Sequence, residues 1–239
     1  MGAHSSRMRM GGPRFQADIR GAIEITDNGL PRLATSIGWH SPYFGEDWWA
    51  KINSQGADKL IHKMGIAIQY GANLSAPSPI GQRFLDAAAW YGEAVRDYFP
   101  ASRLVKYVTA IERILTTKNE KQLSETIAMR GAAILMAGGD GTPARDREQL
   151  KHVYDMRSRI IHGSRSPHER GLGRILQDAE RLSRRIILSS LHFFGEDGLQ
   201  KSNYTPKMLD NDFVTLIIWA ENRLMNGDAC ATAQLNFGA

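Results

Sequence analysis

Arg157 and His162 stand five residues apart in the stretch VYDMRSRIIHG, Val153 to Gly163, where a helical pattern runs into a glycine. A guanidinium is a rigid fork of donors that fits a phosphate or another oxyanion. An imidazole ordinarily titrates near neutrality, so it can take a proton from a hydroxyl and return one to a leaving oxygen. The pair therefore suits chemistry at a phosphate ester. The position of the arginine is unusual. With about 100° per residue and Leu150 at zero, Val153 falls at about 300°, Tyr154 at about 40°, Ile160 at about 280° and Ile161 at about 20°. Arg157 falls at about 340°, inside this apolar stripe. An unpaired guanidinium there is strongly unfavourable and must meet a carboxylate, a phosphate or a wet cleft. Glu112, in AIERIL at the edge of another helix's apolar face, is the carboxylate in view. His162 falls at about 120°, too far around one intact helix to converge with Arg157. Gly163 ends the helix and releases His162 from that azimuth. On these residues alone two readings stand open: a structural Arg–Glu pair beside a passive histidine, or a site.

The elements that must hold this motif are helical. From about Gly56 the hydrophobic period becomes that of helices: GADKLIHKMGIAIQYGANL stops before SAPSP, and IGQRFLDAAAWYGEAVRDYF stops at Pro100. SRLVKYVTAIERILTT begins with Ser102 as N-cap and carries Leu104, Val108, Ile111 and Leu115 on one face. Further helices are predicted over about 120–137, 144–162, 170–193 and 207–225. The fold class is all-α, a bundle of about six or seven helices spanning 56–226. Residues 1–12 read as a disordered leader and 227–239 as a flexible tail. Between them, 13–55 form an N-terminal extension. It holds a short hairpin or extended pair around the turn signal Asp27-Asn28-Gly29, then the aromatic loop HSPYFGEDWW, whose Trp48 and Trp49 read as packing anchors.

Composition narrows the partners. No apolar run approaches the roughly 18 residues that span a bilayer, and no apolar core follows the basic N-terminal residues, so the expectation is a cytoplasmic protein with no membrane partner. Cys230 is the only cysteine, which excludes an internal disulfide and a cysteine-rich zinc site. No metal-binding motif such as H-E-x-x-H occurs, and no cofactor is implied. Between Arg145 and Arg185 eleven Lys and Arg face six Asp and Glu, a difference equal to the whole chain's net charge of +5. A polyanion is one reading of that segment; a solvated face is the other.

A second motif competes. AAILMAGGDGTP, Ala132 to Pro143, resembles the glycine-rich phosphate loop of the NAD kinase and diacylglycerol kinase superfamily. That loop works at the end of a strand in a parallel sheet. Helices are predicted on both sides here, so the favoured reading is a flexible loop, with Gly138 capping one helix and Pro143 near the start of the next.

The arginine and histidine carry a resemblance of their own. Arg157-Ser-Arg-Ile-Ile-His162 fits the R-x4-H signature of the HEPN superfamily (higher eukaryotes and prokaryotes nucleotide-binding domains), and YDMRSRIIHG is similar to its Apea-like branch. RFLDAAAWYGEAVRD resembles the family's early helix, RLVKYVTAIERIL its central helix with the glutamate, and LKHVYDMRSRIIHG its motif helix, in the family's order. The resemblance covers Arg83 to about Trp219.

It implies a helical domain that pairs into homodimers with two motifs facing one another, which would place Arg157 beside a dimer cleft. It implies a metal-independent endoribonuclease of the kind found among bacterial toxins and anti-phage effectors. In it Arg157 and His162 are catalytic, and Glu112, Tyr154 and Ser158 support them. Lys151, Arg159, Arg165 and Arg170 contact RNA phosphates. Tyr154 reads as structural rather than catalytic. The family's noncatalytic members imply the alternative, a module for RNA binding or protein assembly. Ser164 stands where HEPN toxins controlled by a nucleotidyltransferase carry a tyrosine, so that control is not implied. Apea-like domains often follow a sensing region, and the resemblance implies a separate sensor or a longer form of this chain.

Overall fold

In a computed structural model of the chain, residues 57–117, 122–139, 141–168 and 171–225 are described, together with the backbone of 17–25 and 31–39. The leader, the turn at Asp27 to Gly29, the aromatic loop with Trp48 and Trp49, the tail 227–239 and Arg170 lie outside the described residues. The chain divides into two units, 1–58 and 59–239. In the first, β1 (Ala17–Ile25) pairs antiparallel with β2 (Pro31–Trp39), Ala17 facing Trp39 and Ile25 facing Pro31. This is the hairpin expected from the two extended runs.

The remainder is all-helical: α1 (Ala57–Gly71), α2 (Pro79–Arg96), α3 (Pro100–Leu115), α4 (Leu123–Ala137), α5 (Pro143–Ile161), α6 (Leu172–Gln200) and α7 (Pro206–Met225). The all-α bundle is thus present, with seven helices among the described residues. None of them is long and apolar enough to cross a membrane.

Local chemistry sets the ends. Ser78 accepts the Gly81 N–H at 3.1 Å and Pro79 opens α2, a capped start behind the SAPSP break. Gly71 and Gly81 let the end of α1 meet the start of α2: a Cβ on Gly81 would lie 2.8 Å from the Gly71 nitrogen. The start of α3 departs from the sequence reading. Pro100, whose missing N–H costs nothing in a first turn, begins the helix, and Phe99 holds the cap position. Ser102 sits inside that turn and donates to Asp97 at 2.5 Å instead of capping. The Asp97 carboxyl is held at about 2: the Lys106 ammonium, the Ser102 hydroxyl and the Phe99 N–H outweigh the effect of burial.

The core is built on α3, α4 and α6. α3 buries Leu104, Tyr107, Val108, Ile111, Ile114 and Leu115. α4 is apolar on nearly every side, and it packs against α3, α5, α6 and α7. α6 runs longer than predicted: Gly195, at φ 61, interrupts the helical geometry before its last residues. The Gly-Gly-Asp-Gly segment follows α4. Ala132 to Met136 are helical, Gly138 donates to the Ile134 carbonyl at 3.0 Å, and Pro143 opens α5. The strand that a kinase phosphate loop requires is a helix here.

α5, the motif helix, packs chiefly on α4 and also meets α3 and α6. Its buried face is Leu150, Val153 and Met156. Its first turn is fixed by Asp146, 3% exposed, which accepts from Thr142 N–H at 2.8 Å and from Arg185 Nη1 of α6 at 3.0 Å.

Candidate active site

Arg157 points from α5 towards α3. Its Nη2 lies 3.5 Å from Glu112 Oε2, the two side chains being 21% and 18% exposed. That distance is at the long limit of a hydrogen bond, so the ion pair forms without closing a bidentate fork. The guanidinium carbon also sits 5.8 Å from the centroid of the Tyr154 ring, at the edge of cation–π range. Nε is buried and has no hydrogen-bond partner. Arg157, Glu112 and Tyr154 therefore form one cluster, in which the arginine retains donor capacity.

Burial dominates the acids of the cluster. It raises the Glu112 carboxyl above its ordinary value, against the lowering pull of the Arg157 charge. Burial likewise raises the Tyr154 phenol, helped by Glu112 and opposed by Arg157. A carboxyl whose value is raised by folding binds its proton more tightly in the folded chain than in the unfolded one. Ionised Glu112 thus works against folding at neutral pH, and the penalty fades as pH falls through its raised value. Glu112→Gln, which keeps an acceptor for Arg157 without a charge, is expected to melt above the wild type near pH 7.5. The gap should narrow as pH falls through the raised value and close once pH lies below the ordinary carboxylate value of the unfolded chain as well. Thermal melts across that range check it; a gap independent of pH would mean that Glu112 ionisation is not what separates the two proteins.

His162 is set by backbone rather than by packing. It follows the last residue of α5 with φ −84° and ψ 8°, and its N–H donates to the Ser158 carbonyl at 3.0 Å. Gly163 takes φ 71°, a left-handed conformation that a glycine adopts without strain. The chain then folds back: the Arg165 N–H and the Ser164 hydroxyl donate to the Arg159 carbonyl at 3.1 and 3.2 Å. The helix end is thereby satisfied, and the His162 side chain stands exposed. Ser158 is half-buried and contributes the carbonyl that fixes the His162 backbone.

The surroundings of Arg157 depart from the expected stripe at one place, Ile161. The stripe beside Arg157 is Leu150, Val153 and Met156, with Tyr154 and Ile160 half-buried, whereas Ile161 is 47% exposed at the helix end. Arg159, two residues and about 160° around the axis from Arg157, is exposed on another face. Lys151, 55% exposed, lies 3.5 Å from the Glu125 carboxylate that Arg147 also meets, a loose contact at the helix surface. Arg165 is half-buried in the folded-back turn.

The sequence reading missed Glu125 and Asp146. An acid in the first turn of a helix is a visible signal in both cases, and both stand there. What each would bind depended on which helices became neighbours. Among the described residues no three His, Cys, Asp or Glu side chains gather closely enough to hold a metal ion. In comparisons with known proteins, no family model, curated protein or solved structure matches this chain.

Proposed function

We propose that this chain is a metal-independent endoribonuclease of the HEPN type. The observation that carries the reading is the half-buried arginine, one Nε unsatisfied and its bond to Glu112 stretched, five residues ahead of an exposed helix-end histidine. The R-x4-H pattern and the concentration of cations between Arg145 and Arg185 support it.

In the proposed reaction His162 takes the proton of a ribose 2'-hydroxyl. The 2'-oxygen bonds to the adjacent phosphorus, and the bond from phosphorus to the 5'-oxygen breaks. That oxygen takes a proton from the imidazolium just formed, which returns His162 to its starting state and gives a 2',3'-cyclic phosphate and a 5'-hydroxyl. Arg157 donates to the phosphoryl oxygens as charge develops on them, the point at which preorganised donors act most strongly. Two copies of the chain would set two motifs across one cleft, so that the histidine and arginine serving one phosphate need not come from the same helix. Single-stranded or looped RNA is the substrate class, because in-line attack needs a backbone that a regular duplex resists. A place in bacterial toxicity or anti-phage defence, in the cytoplasm and under a sensor region, completes the reading.

The test is incubation of the full chain with a mixed-sequence single-stranded RNA in excess EDTA. Cleavage leaving cyclic-phosphate ends is expected. RNA retained but uncut would favour the noncatalytic binding module, and RNA neither held nor cut would end the nucleic-acid reading.

The Glu125 carboxylate yields a further expectation. Glu125→Gln removes one negative charge and releases Arg147 and Lys151 for phosphates. RNA binding should tighten, and the logarithmic salt dependence should steepen by roughly one to two counterions. Titrations at several salt concentrations measure both; an unchanged slope would mean that neither cation reaches the RNA.

A further inference from the structure

Helix α7 carries a face that the rest of its unit leaves uncovered. Lys207, Asn211, Val214, Ile218, Glu221 and Met225 recur at alternating steps of four and three, within about 80° of one another around the axis. Val214 and Ile218 are 54% and 53% exposed and Met225 is 81% exposed, while Leu209, Phe213, Leu216 and Ala220 of the same helix are buried. Beside the stripe, on the side of Ile217 and Leu224, runs a groove of about 230 Å³ whose far wall includes Met129 and Ala132 of α4. Val214, Ile218 and Met225 form the apolar part of this face, flanked by the polar Lys207, Asn211 and Glu221 and continued by the apolar groove at Leu224.

We infer that this face is an interface between two copies of this chain, with α7 packed antiparallel against the partner's α7 around a two-fold axis between Val214 and Ile218. Charge selects both the occupant and the direction. Lys207 marks the N-terminal end of the stripe and Glu221 lies near its C-terminal end, and neither has an ion pair among the described residues. In the antiparallel register Val214 faces the partner's Ile218 and Asn211 faces the partner's Glu221. Lys207 lies over the partner's Met225, one turn from the partner's Glu221 and beside the negative end of that helix. A parallel pairing would set lysine on lysine and glutamate on glutamate. The stripe is thus complementary to itself in one orientation only, the property that an isologous contact requires.

The groove beside the stripe touches the first turn of α5, about 20 Å along that helix from Arg157. The inference therefore does not rest on the ribonuclease reading, and its test is separate from any assay on RNA.

The experiment is sedimentation equilibrium of the full chain from about 1 to 100 µM. The proteins compared are the wild type, Ile218→Glu, Lys207→Glu, Glu221→Lys and the double variant Lys207→Glu with Glu221→Lys. The wild type is expected to self-associate. Ile218→Glu should weaken one association step by roughly a hundredfold, since each dimer would bury two unpaired carboxylates at its centre. Each single charge reversal should weaken that step by about tenfold and the double reversal should restore it. Circular dichroism reports whether the variants stay folded, and the charge reversals decide the matter even where Ile218→Glu does not. A wild type that stays monomeric to 100 µM overturns the inference. So does a dimer indifferent to all four variants, which would assign self-association to another face such as the motif cleft.

Discussion

On the proposed ribonuclease reading, replacing His162 with alanine is expected to lower the rate of RNA cleavage by about 10²–10⁴-fold, the usual contribution of a positioned general acid or base, and to leave the melting temperature unchanged. The two readouts separate because His162 is exposed while the turn around it is built from backbone and Gly163. Arg157→Ala is expected to give a rate loss of comparable size from a different source, the charge of the transition state. It also touches the fold, since it leaves the Glu112 carboxyl buried without its cation. Arg157→Lys keeps the charge but not the fork of donors, and should not restore the rate. Single-turnover cleavage of a single-stranded RNA in EDTA, with a melt of each variant, checks all three. An active Arg157→Ala chain would remove the proposed site, and an active His162→Ala chain would move proton transfer to another group.

What the sequence disclosed about this site follows from the range of each signal. Helix periodicity is local, so α3 and α5 could be placed from their own residues, and Arg157 and Glu112 could be matched because each interrupts or borders an apolar stripe. The ends of those helices were harder, since a serine near the start of a helix competes with a proline that needs no cap. Pro100 prevailed over Ser102. Ile161 counted as apolar stripe by azimuth and emerged exposed, because the last turn of a helix can run past its neighbours. The least legible part was the fate of the cations. Eleven of them could be counted, but Arg147 pairs with Glu125, and Lys151 comes near it, only because α4 lies against α5, a relation that no local pattern encodes. Charge totals thus say nothing of which cations meet a neighbouring helix's acid and which do not. The exposed stripe of α7 was hidden for the opposite reason: its apolar residues count towards the core until the core is seen to be complete without them.

The other large effect belongs to the anchor of the motif helix. Asp146 is almost fully buried, receives one backbone N–H from Thr142 and one guanidinium N–H from Arg185, and thereby ties the first turn of α5 to α6. Asp146→Ala removes both acceptors at once, and taking one partner out of a buried pair costs about 3–5 kcal/mol. For a helical unit of this size that corresponds to a fall in melting temperature of roughly 10 °C. Asp146→Asn, which can still accept one bond but carries no charge, should lose less than half as much. Arg145→Ala, at an exposed position next along the same helix, provides the control and should melt with the wild type. The rate of RNA cleavage by Asp146→Ala, measured well below its melt, should stay within a few-fold of the wild type. The anchor lies about four turns from His162, and it holds the helix in place without reaching the reacting atoms. A melt unchanged by Asp146→Ala would show that the contacts of Leu150, Val153 and Met156 with the bundle suffice to fix α5, and that the buried carboxylate adds little to its stability.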